Sequence, residues 1–522
     1  MPQLHNDAAD DPLLFERDDT FRGGCDEFTR PVLLPPGQYA RSINAIVADN
    51  HEIGTRPGWE KQGDTGETSV IQGAFYYETP AIQQVLICCD GAAQSWDGST
   101  WTARAGYAPT GYVTMAQGFD KLLLTDGTAN MRSYNGSAFT DLGSTVTSPG
   151  GDPPVGATIL CWHTFRMFAS GKSTEPDAIW ASTLADFAAG SWDHTNMKFR
   201  VGTGDGQAIR ALASLQNFNL AVFKTGSVYI VNTNPVAPDG TAATAADWTI
   251  QQLSGGVGCV GKKAWCYAGN DVLFMAQDGV RSLNRMAAAA GQYEVSAPIS
   301  QPMQPYIDRI NWERAANIVA INYRNYAIFW VPLDTDQTNT TALVFNIRLG
   351  VWVGIWTGPD PTCALLTRFF DNLRLCIGTT TGALDEWQDN EDQQLEESVQ
   401  DEGDDYETLV RLRSTQFGEP VNAKDAYYFE ARLRNVTADV TVDLVLDEEF
   451  AASFTLSPQA GALVGSVSIP FELAPDGVIV GRKSLDGNQE FNESYLEFSS
   501  ELGRFTLKSV TRAAFLNTLQ NE

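Results

Sequence analysis

From about residue 70 onward, short β-type runs recur along this chain, each broken by a tight turn, and the turns fall at nearly even intervals. The clearest pair is VLICCDGAAQSWDGSTW at residues 85–101 and KLLLTDGTANMRSYNGSAF at residues 121–139. Each reads as an apolar strand, an Asp-Gly turn, a second strand, and then Ser-aromatic-Asp/Asn-Gly-Ser-x-aromatic. Asp-Gly and Asn-Gly favour the positive φ of two-residue hairpin turns, so each unit is a meander of antiparallel strands. Similar signals follow at Gly171, Gly226, Gly279, Asp334 and Gly382, so that successive turns from Gly91 and Gly127 onward are 36, 44, 55, 53, 55 and 48 residues apart. A four-stranded propeller blade takes ~40–50 residues. The expected fold is therefore all-β, with a β-propeller over residues 71–388 of about seven blades, six to eight being possible. Regular hairpins also suit a stacked β-sandwich, because hairpins alone do not close a ring.

The flanking segments read differently. Residues 1–70 contain FTRPVLLPPGQYARSINAIVADNHEIGTRPGWEKQG, whose prolines block helix and which has few long periodic stretches. They are expected to form an extended N-terminal arm that orders against another surface. Between Arg374 and Arg411 no basic residue occurs, and Asp385 to Glu407 carries twelve acids. Such a run repels itself, so residues 389–407 are expected as an acidic linker or loop. Beyond it, AYYFEARLRNVTADVTVDLVLD and SYLEFSSELGRFTLKSVTRAAF alternate apolar with polar at period two. This predicts a C-terminal β-sandwich over residues 408–522.

Charge and cysteine usage narrow the class. With 35 Lys+Arg against 64 Asp+Glu the net charge is −29, which repels a phosphate backbone. The eight cysteines, Cys25, Cys88, Cys89, Cys161, Cys259, Cys266, Cys363 and Cys376, form no Cys-x-x-Cys pair, and several sit within apolar runs; buried free thiols are expected. The acidic N-terminus has no basic start followed by an apolar stretch, and no run of ~18 apolar residues occurs. Synthesis in a cytoplasm and no membrane span are expected.

No catalytic, cofactor-binding or metal-binding residue is singled out, and a non-enzymatic protein without cofactors is expected. His5, His51, His163 and His194 show no metal-ligand spacing. There is no Gly-x-Ser-x-Gly elbow or phosphate-binding loop of the Walker type, and VGTGDGQ at Val201 to Gln207 leads toward a strand, as a turn does. Ser95 to Trp101 resembles the Asp-box of sialidase-type propellers, echoed at Ser133 to Phe139, although the usual spacer between Asp and Gly is missing. That box is a hairpin feature remote from chemistry, and no carboxylate pair suited to a glycosidase stands out. Trp312, Trp352, Trp356 and Trp387 suit sheet packing better than ligand contact.

Two further cues point to a family. One is Leu34-Pro35-Pro36-Gly37, followed by Ser42-Ile43-Asn44-Ala45 and then Thr55-Arg56-Pro57-Gly58; the other is GGVGCVGKKAWCYAGNDVLFMAQDGVRSL at residues 255–283. In these, and in their order, the chain resembles the propeller-bearing nozzle and hub proteins of short-tailed (podovirus-like) bacteriophages over about three quarters of its length. The resemblance implies a virion tail subunit assembled in the bacterial host cytoplasm. It also implies a homo-oligomeric ring, a hexamer, contacting portal, adaptor and fibre proteins, with DNA passing through without specific binding. Lys262-Lys263, Arg411 and Arg413 are then expected to meet acidic partner subunits. A receptor-binding or glycan-cleaving propeller and a cellular propeller scaffold are the alternatives.

Overall fold

The computed structural model describes residues 13–516 apart from Asp49, Asp64, Glu67, 290–296, 390–399, 459–478, 485–489 and Leu502. The second strand of each repeating unit has a largely apolar stretch that is covered on both faces. Val85–Cys89, Leu122–Leu124, Leu220–Phe223 and Val272–Ala276 are all buried. A strand that faces solvent on one side alternates instead.

Seven antiparallel meanders of three or four strands follow one another along the chain, called the first to seventh sheets below, the sixth lying within a ten-stranded sheet and the seventh within a six-stranded one. The first pairs Ile71–Thr79, Ile82–Cys89, Ala92–Trp96 and Trp101–Arg104, and the second begins at Thr114–Gly118. The third, fourth and fifth begin at Ile159–His163, Ile209–Ser214 and Trp265–Ala268. The sixth begins at Val319–Tyr323 and the seventh at Pro361–Thr367. The seven positions counted in the sequence fall in order at or beside the connection between the second and third strands of these sheets, Gly171 within the end of a second strand and Gly279 at the start of a third. The starting strands pack on their neighbours from the first sheet to the fourth and from the fifth to the seventh. Between the fourth and fifth, Tyr267 donates to the Ser214 carbonyl at 3.0 Å. Pro361–Thr367 packs in turn against Ile71–Thr79, and Thr362 Oγ1 donates to the Ile71 carbonyl at 2.6 Å.

The first 70 residues depart from expectation. Their described part is paired within its own chain and is no free arm. Leu13–Asp18 runs antiparallel to Thr506–Leu516. Gln38–Ile43 lies between Val351–Thr357 of the sixth sheet and Thr408–Leu412. Trp59–Lys61 adds an outer strand to the seventh sheet, beside Leu384–Trp387. These strands are three to six residues long, too short for periodicity to reveal, and their partners lie hundreds of residues away.

The C-terminal strands form two sheets over one core. Thr408–Leu412, Ser494–Ser500, Val440–Leu446 and Glu449–Leu456 continue the sixth sheet through Gln38–Ile43. Lys424–Arg434 and Thr506–Leu516 centre the other. Phe429 of one sheet and Phe454 of the other meet with ring centroids 5.0 Å apart, among Leu433, Val442, Phe498 and Leu507. The acidic 389–407 segment is in part pinned: Gln400–Asp401 and Asp404–Asp405 form a small hairpin beside Trp59–Lys61. Residues 390–399 of that expected linker lie outside the described residues.

Candidate functional site

The most elaborate polar arrangement is built on residues that the sequence marks as motifs. Asn44 sits at φ 54°, a left-handed conformation that asparagine tolerates better than most side chains. Its backbone N–H donates to the Ile355 carbonyl at 2.8 Å. Its Oδ1 accepts from Thr357 N at 2.8 Å and Arg56 Nε at 3.0 Å, while Nδ2 donates to Thr357 Oγ1 and the Glu407 carbonyl, both at 2.8 Å.

Arg56 is fully buried and uses all its donors. Besides Asn44, Nη1 donates to the Pro57 carbonyl at 2.8 Å and Asp401 Oδ1 at 2.9 Å. Nη2 donates to the Thr357 carbonyl at 2.7 Å and Asp401 Oδ2 at 2.5 Å. The guanidinium carbon lies 4.0 Å from the centroid of the Tyr406 ring. A buried charge is tolerable only when paired and fully hydrogen-bonded, and the planar five-donor fork of arginine meets that demand here. Gly58 completes the joint: a Cβ there would lie 1.9 Å from the Gln400 carbonyl oxygen, so no larger residue fits. The joint thus fastens the N-terminal segment, the sixth sheet and the acidic segment to one another.

An aromatic cluster underlies it. Trp387 stacks on Trp59 at 6.1 Å and meets Trp356 at 5.0 Å and Tyr323 at 5.5 Å, and its indole donates to the Pro57 carbonyl at 3.0 Å. Trp352, Trp356 and Trp387 are core residues, as packing predicts, and Trp312 is half-buried.

Next to the joint lies Asp385, fully buried in the seventh sheet. Burial, and then the Glu402 carboxyl beside it, push its carboxyl up to about 9. An unfolded aspartate ionises near ~3.9. The folded state therefore holds an extra proton between these values, and this group costs stability as pH rises from about 4 to about 9. Asp385→Asn is expected to raise the urea midpoint at pH 8–9, with the gain shrinking toward pH 4. An equal effect at both ends would refute the assignment.

The other marked residues are structural. Asp97 Oδ1 accepts from Ser99 N, Ser99 Oγ and Thr100 N at 2.8–3.0 Å. Asn135 Oδ1 accepts from Ser137 N, Ser137 Oγ and Ala138 N at 3.0–3.1 Å. The two echoing segments are thus equivalent outer hairpins. The glycine-rich 201–207 stretch is a turn whose Asp205 pairs with the buried Lys224 at 2.7 Å. All eight cysteines are free and buried, and burial pushes the Cys161 and Cys259 thiols up to about 12.

His163 meets Ser214 Oγ at 2.7 Å and His194 meets the Asp152 carbonyl at 2.8 Å; His5 lies outside the described residues. Arg413 pairs with Glu16 and Asp18, Arg411 with Glu497, and Lys263 donates to the Thr362 carbonyl. These cations, expected to meet other subunits, are satisfied inside the chain, because the N-terminal strand brings its acids to Arg413. Sequence reasoning missed that Asn44, Arg56, Asp401 and Tyr406 converge; the signals were the Ser-Ile-Asn-Ala and Thr-Arg-Pro-Gly motifs themselves.

No protein-family model and no curated protein matches the chain. Among solved structures, it is similar to the computationally designed Ika8 protein at 14% identity and a TM-score of 0.36, covering 63% of this chain and 99% of that one. It is also similar to BBS1N, crystallised in complex with ARL6DN, at 13% identity and a TM-score of 0.37, covering 64% of this chain and 97% of that one. Likeness at this level defines neither fold nor function. The class established is an all-β protein of many small sheets, and among the described residues no helix is long and apolar enough to cross a membrane.

Proposed function

We propose that the seven sheets close as a seven-bladed β-propeller and that the chain is a non-enzymatic structural subunit of a bacteriophage tail. In this reading it forms a homo-oligomeric nozzle or hub ring that contacts portal, adaptor or fibre proteins and surrounds a DNA exit path. The observation that carries it is the use made of Asn44 and Arg56. The residues on which the resemblance rests are invested in a buried joint between the N-terminal segment, the sixth sheet and the acidic segment. A subunit that bears load between neighbours needs such fastening. The net charge of −29 supports a conduit to which duplex DNA does not adhere.

Sedimentation and native mass spectrometry of the purified chain, with fluorescence anisotropy on duplex DNA at ~150 mM salt, test the reading. A ring of several copies with no micromolar DNA affinity is expected. A stable monomer, or salt-sensitive micromolar binding by the ring, would overturn it. A second reading, a glycan-binding propeller, is favoured by one feature, a cationic cavity between the second and third sheets.

A further inference from the structure

Between the second and third sheets lies a cavity of about 410 Å³, walled by Asn130, Lys172, Glu175, Trp180, His194 and Lys198. This falls in the range of small-molecule sites, roughly 300–1,000 Å³. The third sheet sets most of the wall: Lys172 ends its second strand opposite Glu175, and Trp180 on the third strand lies opposite Lys198 on the fourth. The two ammonium groups stand 5.8 and 5.0 Å from the centroid of the Trp180 ring.

Charge in this wall runs against the rest of the molecule. Glu175 is shared by Lys198 and Arg200, and Arg200 also pairs with Asp177. Of the groups that line the cavity, Lys172 and Lys198 are cations and Glu175 is the one carboxylate; Lys198 pairs with it, and Lys172, which makes no salt bridge among the described residues, acts on it across the strand. In a chain of net charge −29 a locally positive cavity is not a sample of the average surface.

The polar groups beside it are only partly used. His194 Nε2 lies 2.8 Å from the Asp152 carbonyl, which can only accept, so neutral His194 keeps Nδ1 as an acceptor. Asn130 Nδ2 donates to Asp141 at 3.0 Å and leaves its carbonyl oxygen for a donor. Trp180 is 2% exposed and forms the packed floor beneath the two ammonium groups.

We propose that this cavity binds an acidic sugar unit of the uronic-acid class, its carboxylate toward Lys172 and its hydroxyls toward His194 and Asn130. A cation supplies a charge-assisted hydrogen bond to the carboxylate, and acceptors suit hydroxyl donors. The cavity stands independently of whether the chain assembles into a tail.

Isothermal titration of the full chain with glucuronate, glucose and inorganic phosphate separates the possibilities. Glucuronate is expected to bind, glucose at least tenfold more weakly, and phosphate more weakly than glucuronate. Lys172→Ala should weaken glucuronate about tenfold with an unchanged thermal midpoint. Equal binding of glucose, tighter binding of phosphate, no binding of glucuronate at millimolar concentration, or indifference to Lys172→Ala would each overturn the proposal.

Discussion

Arg56→Ala is expected to destabilise the protein by about 3–5 kcal/mol, the range for removing one partner of a buried ion pair. The loss exceeds that of a surface salt bridge because a nearly buried carboxylate loses its cation and three further acceptors each lose a donor. Asp401 would keep a charge at 10% side-chain exposure, and Asn44 Oδ1 and the Pro57 and Thr357 carbonyls would each lose a donor. Arg56→Lys should recover little, since one ammonium cannot span two carboxylate oxygens, two carbonyls and an amide at once. Urea unfolding followed by tryptophan fluorescence reads the change. The freed acidic hairpin should also be cut by protease at lower doses. A shift below about 1 kcal/mol, the scale of an exposed pair, would show that the joint is dispensable.

Trp387→Ala should cost a similar amount, about 3–5 kcal/mol for a large aromatic removed from a core. Trp387 is 2% exposed and contacts Trp59, Trp356, Tyr323 and Tyr326. Each well-placed aromatic pair adds roughly 0.5–1.5 kcal/mol beyond buried area. Trp387→Phe should cost less, keeping packing but losing the bond to the Pro57 carbonyl. That carbonyl also accepts from Arg56, so Arg56→Ala and Trp387→Ala together should cost less than their sum. Strict additivity in a double-mutant cycle would mean that polar joint and aromatic cluster act separately.

The periodic part of this fold was legible in the sequence because its signals are local. A turn such as Asp126-Gly127 carries its own chemistry, with Asp126 accepting from Thr128 N and Ala129 N, and an apolar run such as VLICC announces burial on both faces. What could not be read depends on partners far away in the chain. The motif Thr-Arg-Pro-Gly was visible, but nothing near it says that Arg56 meets Asp401, and a run of twelve acids reads as solvated until a buried cation is known to face it. Arg413 was misplaced for the same reason, its acids lying on the first strand of the chain. The cationic cavity was hidden too, because Asn130 and Lys198 come together only when two sheets pack.

The outer strand of the seventh sheet leaves the ribosome long before its neighbour does. Trp59 pairs with Trp387, so 328 further residues must be synthesised before that edge is covered. At ~5–20 residues per second the wait is on the order of 15–65 s. Throughout it, Trp59 has no Trp387 to stack on and Arg56 has no Asp401. A nascent chain in this condition offers an aromatic strand edge to any other chain, and two chains on one message could exchange their first 60 residues. A translational pause between residues 61 and 387 is therefore expected to prolong this exposed state, whereas one after residue 387 leaves the Trp59 edge already covered.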